Sequence, residues 1–103
     1  MSKPQKLVRD NIPAIIESQG NKTITRTLSH SEYHEQLERK LQEEVAEFLH
    51  ARNIEELADI LEVVYALAAI RNVSPEQIEK IRKKKAATNG AFKDRIFLEE
   101  IAD

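Results

Sequence analysis

Two pairs of acidic residues are spaced in a way that could bind a metal ion. Glu44 and Glu47 are three residues apart, and so are Glu56 and Asp59. Residues three apart on a helix are neighbours, with ~5–6 Å between their Cβ atoms, so each pair presents its carboxylates together. Clustered carboxylate oxygens suit Mg²⁺ or Mn²⁺, whereas zinc favours histidine or cysteine. Salt bridges and ordinary surface charge are the alternative interpretation of this spacing.

Helical periodicity places these acids where a solvated acid is not expected. With Leu37 at zero on a wheel of ~100° per residue, Glu44 falls at ~340°, inside an apolar stripe. Glu47 falls at ~280°, on the edge of the same stripe. Glu56 and Asp59 lie in the next helix, within a run that is apolar nearly all round. Burying a carboxylate without a partner is costly, so these acids should pair with cations or bind a metal.

Four helices are expected to position the acids, and the first of them is short. It should open at Asp10 or Asn11, with Pro13 in its first turn, and stop near Gly20. Residues 23–28 are rich in β-branched types, which predicts an extended segment or a lone strand.

Two long helices should then form a hairpin. Ser29 with Glu32 three residues later is a capping box, which predicts a helix to about Ala51. Asn53, again followed by an acid three residues later, predicts a second helix to about Arg71. Because the link is only about three residues long, the helices should be antiparallel neighbours. The hairpin would bring the two acidic pairs face to face.

The fourth helix should begin at Ser74 and end near Asn89, followed by an extended tail at residues 95–98. Residues 1–103 are therefore predicted to form a single all-α domain, which consists of an antiparallel helical hairpin and shorter helices. A chain of 103 residues covers little of its own apolar surface, which favours completion of the bundle by oligomerisation. Tyr33, on the apolar stripe of the first long helix, is expected in the core.

Composition excludes several classes of protein. The chain has no cysteine, which excludes disulfides and thiolate chemistry, and it shows no apolar run long enough for a membrane span. A cytoplasmic protein without membrane partners is expected. Residues 29–62 carry ten acids and three bases, whereas residues 80–95 carry seven bases and one acid. The net charge of −2 and the lack of aromatics within the basic run argue against binding to nucleic acid.

The acidic motifs, Glu44/Glu47 and Glu56/Asp59, resemble those of the all-α nucleotide pyrophosphohydrolase superfamily. This superfamily includes MazG-like proteins, dimeric dUTPases and phosphoribosyl-ATP pyrophosphohydrolase. One house-cleaning branch opens with K-L-V-R-D-x-I-P, as residues 6–13 do, and closes with an element similar to residues 85–92. The branch usually has an arginine where this chain has Asn89, so a phosphate contact is missing there.

The resemblance implies a reaction and a set of roles. Such enzymes hydrolyse a nucleoside triphosphate between the α and β phosphates, using Mg²⁺, for which Mn²⁺ can substitute. The implied metal ligands are Glu44, Glu47, Glu56 and Asp59, with Glu62 in an outer position. The implied proton acceptor is Glu43 or Glu47. The implied phosphate-binding residues are Arg9, Lys85 and Arg95.

Two alternative functions stay open beside a general nucleotide hydrolase. One is phosphoribosyl-ATP pyrophosphohydrolase itself, within the same superfamily. The other is a non-enzymatic helical interaction module, whose acids would serve as salt-bridge partners. The expected partners of the enzyme are a nucleotide substrate and further copies of the chain, in a homodimer or a higher homo-oligomer.

Overall fold

The computed structural model describes residues 5–102, which form four α-helices and no strand. The helices are α1 (Ile12–Ser18), α2 (His30–Ala51), α3 (Ile54–Ile70) and α4 (Pro75–Asn89). The predicted all-α class is confirmed. The lone strand considered for residues 23–28 is not formed, because nothing nearby offers an edge for its backbone groups to pair with. Within the same range, no helix is both long and apolar enough to cross a membrane.

Side-chain caps fix where α2 and α4 begin. The Ser29 hydroxyl accepts a hydrogen bond from the Glu32 amide at 3.3 Å, and the Glu32 carboxylate accepts one from the Ser29 amide at 3.1 Å. Ser74 and Gln77 form the same reciprocal pair at 3.1 and 2.8 Å. Each box satisfies amides that have no partner inside the helix, which is why both predicted starts are observed.

A two-residue turn joins α2 to α3. Arg52 adopts a left-handed conformation (φ 60°), and its amide donates to the Phe48 carbonyl at 2.8 Å. Asn53 then caps α3 by accepting from the Glu56 amide at 3.2 Å. A left-handed residue ends a helix sharply, so α3 turns back along α2 and the hairpin forms as predicted.

The hairpin has a small core and two unlike sides. Among residues 5–102, only Leu37 (3% exposed) and Val63 (8%) are buried. One side faces the chain before and within α1, whose residues 7–12 and Ile15 border a cavity together with the hairpin, and this side is here called the covered side. The opposite side, here called the outer face, is apolar but exposed. Its residues are Val45, Leu49, Ile54, Leu57 and Leu61. A single chain therefore leaves uncovered much of the apolar surface that the sequence pattern places on α3.

The C-terminal third extends away from the hairpin. Among the described helices, α4 packs only against α3, and the chain measures 64 × 32 × 23 Å. Its radius of gyration is 18.2 Å, against about 13 Å for a compact chain of this size. Phe92, Ile96 and Phe97 in the tail are all at least 85% exposed.

Candidate metal centre

Three carboxylates meet near the turned end of the hairpin. Glu44 on α2 and Glu56 and Asp59 on α3 each place one oxygen within 4.8 Å of the other two. The short turn brings the two helices together, and the i,i+3 spacing puts the two α3 acids on one face. An all-oxygen donor set of this kind fits a hard divalent cation such as Mg²⁺ or Mn²⁺.

Glu56 is the one acid of this trio that has no paired cation among residues 5–102. Partial removal from water raises its pKa, and the carboxylates of Glu47 and Asp59 raise it further. The salt bridges found among residues 5–102 include none to Glu56. A carboxylate crowded by other carboxylates favours a bound cation, because the cation removes the mutual repulsion.

The other two acids of the trio are already paired with cations. Arg9 donates through Nη2 to Asp59 Oδ1 at 2.7 Å, and its Nη1 lies 3.9 Å from Glu62. Lys40 Nζ lies 3.2 Å from Glu44, whose side chain is only 12% exposed. The centre therefore joins three carboxylates with two cations that could bind the anionic oxygens of a ligand.

Lys40 is absent from the site residues that the sequence predicts, although the sequence holds a signal for it. It falls at ~300° on the wheel of α2, between Glu47 and Glu44. It also stands four residues before Glu44, at the i,i+4 spacing of helical ion pairs. A lysine inside an apolar stripe beside an acid is as unexpected as the acid, and the spacing indicates that the two side chains pair.

The remaining predicted acids lie around this trio. Glu47 is exposed and outside the set of three oxygens, although its charge acts on Glu56. Glu43 is paired with Lys6 at 3.5 Å and with Lys40 at 3.4 Å. Glu62, whose side chain is 62% exposed, lies 3.9 Å from Arg9, the residue that also pairs with Asp59. The roles assigned to these three acids stay predictions.

Of the three cations predicted to bind phosphate, only Arg9 contacts the acids. Neither Lys85 nor Arg95 lines the cavity that contains Glu44 and Asp59. Arg95 instead borders a separate hollow formed by residues 89–96 of the tail. In a single chain, neither of these two basic residues therefore joins Arg9 at the cavity.

A cavity of about 560 Å³ adjoins the metal centre, here called the site cavity. It lies between the N-terminal segment (residues 7–12 and Ile15) and the covered side of the hairpin. Glu44, Asp59 and Arg9 border it, and so does Tyr33, which is only partly buried. The expectation that Tyr33 belongs to the core is therefore corrected, since its side chain is only half-buried and borders the cavity.

Comparison with known proteins gives a family. The family model described as phosphoribosyl-ATP pyrophosphohydrolase matches residues 13–86, a range that contains the three acids and Lys40. An uncharacterized protein of Mycolicibacterium smegmatis is 52% identical over 42 residues, which are 41% of this chain and 43% of that protein. The match thus spans less than half the length of this relative. No solved structure matches the chain. The match over most of the chain shows that it belongs to the phosphoribosyl-ATP pyrophosphohydrolase family, within the MazG-like all-α nucleotide pyrophosphohydrolase superfamily.

Proposed function

We propose that the protein is a Mg²⁺-dependent nucleoside triphosphate pyrophosphohydrolase, which cleaves between the α and β phosphates and releases a monophosphate and pyrophosphate. A house-cleaning role, the removal of unwanted nucleotides, fits this activity. One observation carries the proposal. This chain belongs to a pyrophosphohydrolase family, and it places carboxylate oxygens of Glu44, Glu56 and Asp59 within 4.8 Å of one another.

The three acids would hold the metal, with Glu47 as a further ligand or as the proton acceptor. Mg²⁺ bound there would neutralise charge on the phosphate oxygens and lower the pKa of a water molecule. Glu43 is engaged by two lysines, whereas no salt bridge to Glu47 is found among residues 5–102. This difference supports Glu47 as the group that takes the proton of the attacking water.

Arg9 and Lys40 would bind the polyphosphate. Both already lie within 3.2 Å of an acid of the trio, so a phosphate bridging the acids through a metal would come within their reach. Guanidinium and ammonium groups donate strong hydrogen bonds to phosphate oxygens. Lys85 and Arg95 stay candidates only in an assembly in which another copy of the chain brings them to this centre.

Assembly into a homodimer or higher oligomer belongs to the same proposal. The outer face and the tail leave large apolar side chains exposed, and contiguous exposed apolar surface marks interaction sites. A cytoplasmic location is proposed as well, as are the absence of nucleic-acid and membrane partners and the use of Mn²⁺ in place of Mg²⁺.

The decisive experiment measures pyrophosphate release from a panel of nucleoside triphosphates, with Mg²⁺ and with EDTA. We expect release that requires the metal and is lost in Glu44→Gln and Asp59→Asn while the helical circular dichroism is kept. Glu38→Gln, an exposed acid elsewhere on α2, is the matched control and should keep full activity. Folded wild-type protein that releases nothing from any nucleotide would overturn the proposal.

A second candidate is favoured by the family description itself, which names phosphoribosyl-ATP as substrate. That substrate has the same triphosphate linkage and would use the same acids. Including phosphoribosyl-ATP in the panel separates the two candidates, because a dedicated enzyme should hydrolyse it far faster than ATP.

A further inference from the structure

Lys40 lies between two acids that belong to different parts of the site. Its Nζ atom is 3.2 Å from Glu44, which is one of the trio, and 3.4 Å from Glu43, which is not. Only 18% of the Lys40 side chain and 12% of the Glu44 side chain are exposed. Salt screens a pair of this kind less than a surface pair, so Lys40 neutralises Glu44 effectively.

Arg9 repeats this arrangement at the other helix of the hairpin. Its Nη2 atom is 2.7 Å from Asp59, which is one of the trio, and its Nη1 atom is 3.9 Å from Glu62, which is not. About half of the Arg9 side chain is exposed, so its hold on Asp59 is the weaker of the two. Each cation thus pairs with one acid of the trio and lies near one acid outside it.

The protein's own cations therefore balance the trio in the metal-free state. Two of the three carboxylates are paired, and Glu56 alone has no paired cation among residues 5–102. A divalent cation that bound all three acids would compete with both pairs, because like charges a few ångströms apart repel strongly where water is partly excluded. The second acid of each cation then becomes important, since it offers the displaced charge a partner close by.

We propose that Lys40 and Arg9 hold the place of the metal in the metal-free protein. When a divalent cation binds to the trio, each of them moves to its second acid, Glu43 or Glu62 respectively. The inference rests on the proposed function and adds how the site exchanges one set of charges for another. The exchange leaves no cation without a partner, and it makes Glu43 and Glu62 positioning residues, a role distinct from metal ligand or proton acceptor.

Direct metal binding tests the place-holding role of Lys40. Mn²⁺ in water gives a six-line electron paramagnetic resonance signal that is largely lost when the ion binds to a protein, so a titration measures the dissociation constant without turnover. Lys40→Gln should bind Mn²⁺ about tenfold more tightly than the wild type, the scale of a coupling between two competing ligands. A lysine that only orients Glu44 would have the opposite effect, because losing it would weaken the metal.

The same titration on further variants gives the scale and the controls. Arg9→Gln should bind Mn²⁺ about two- to threefold more tightly, because its pair with Asp59 is exposed. Arg39→Gln removes an exposed cation of α2 that pairs outside the trio, and it is the matched control that should change the affinity much less. Glu44→Gln should bind Mn²⁺ poorly, which assigns the binding to the trio.

A double-mutant cycle tests the second acid. Glu43→Gln alone should bind Mn²⁺ about threefold more weakly, because the displaced Lys40 then has no acid to move to. In the Lys40→Gln background the same change should have almost no effect, because no cation has to be received. A metal ligand at position 43 would instead weaken binding equally in both backgrounds. Glu62→Gln with Arg9→Gln repeats the cycle at the other cation.

The outcomes separate this inference from the proposed function. Weaker or unchanged Mn²⁺ binding in Lys40→Gln, with circular dichroism showing a folded protein, would overturn the place-holding role. Equal losses for Glu43→Gln in both backgrounds would overturn the transfer to Glu43. If Lys40→Gln binds Mn²⁺ more tightly and the cycle shows the expected coupling, but no nucleotide is hydrolysed, the proposed function fails and the inference stands. Folded wild type that binds no divalent cation would overturn both.

Discussion

Glu32 and Glu56 hold the same position in consecutive helices and behave in opposite ways. Each stands three residues after an N-cap whose side chain accepts a bond from its amide. The Glu32 carboxylate pairs with Arg26 at 3.0 Å and accepts a hydrogen bond from the Ser29 amide. These contacts lower the pKa of Glu32 to about 2. The pKa of Glu56 is instead raised.

This difference between Glu32 and Glu56 shows how the candidate site lowers the stability of the fold. Gln77 of α4 closes its box as Glu32 does, so α3 is the one of the three helices whose box is left open. The Glu56 carboxylate lies beside Glu44 and Asp59 instead. An acid that could stabilise its own helix is thus held where repulsion weakens the fold, as expected for a group positioned for a ligand.

The largest effect is expected for Glu56→Gln, which should lower metal-dependent activity by about 100-fold or more, since even outer-shell changes at metal sites cost about 10–100-fold. The same change should raise the free energy of unfolding in the absence of metal, because it removes an uncompensated charge. Initial rates and urea denaturation measure the two effects. Glu55→Gln, the adjacent exposed acid, should change neither much, and a Glu56→Gln protein with full activity would contradict the assignment of Glu56 to the metal centre.

Added Mg²⁺ should stabilise the wild type and leave Glu56→Gln nearly unchanged. A ligand that binds only the folded state stabilises it by about 2.7 kcal/mol at one hundred times its dissociation constant. Thermal melts at pH 7 with increasing Mg²⁺ measure this, and Glu32→Gln serves as the control that should still respond. Equal upward shifts for wild type and Glu56→Gln would place the metal elsewhere.

The caps themselves should have a smaller and similar effect on stability at both helices. Ser29→Ala and Asn53→Ala should each lower the free energy of unfolding by about 1 kcal/mol. Only Asn53→Ala should also reduce activity, since it loosens the turn that carries Glu56. Denaturation and rate measurements on both variants decide this, and equal activity would mean that the cap does not help to position the acid.

The smallest effect is expected for the dependence of the free energy of unfolding on pH. The folded pKa of Glu32 is about 2, below its ordinary value of 4.5, so its stabilisation is complete above pH 5. It should be lost as the pH falls toward 2. Urea midpoints between pH 2 and 6 should therefore fall more steeply for the wild type than for Glu32→Gln. Parallel curves would show that the contacts with Arg26 and Ser29 contribute nothing in solution.

The sequence predicts well what depends on neighbouring residues. The starts of α2, α3 and α4 follow from local caps, and the approach of Glu44 to Glu56 and Asp59 follows from periodicity and a short turn. The exclusion of Glu47 from the trio does not follow, because a wheel gives angles and not distances. The separation of Lys85 and Arg95 from the acids depends on the direction of α4, which few contacts with α3 decide.

The N-terminal segment is attached to the hairpin in a way that should make it respond to ionic strength differently from α2 and α3. Within residues 5–102, α1 makes no close backbone approach to another helix, and Arg9 and Asp59 join positions 50 residues apart. Both partners are more than a third exposed, and at 1 M salt screening acts over about 3 Å. High ionic strength should thus release residues 5–18 by local opening while α2 and α3 stay folded. Inactivation and unfolding would then be separate events, with the first reversible on dilution.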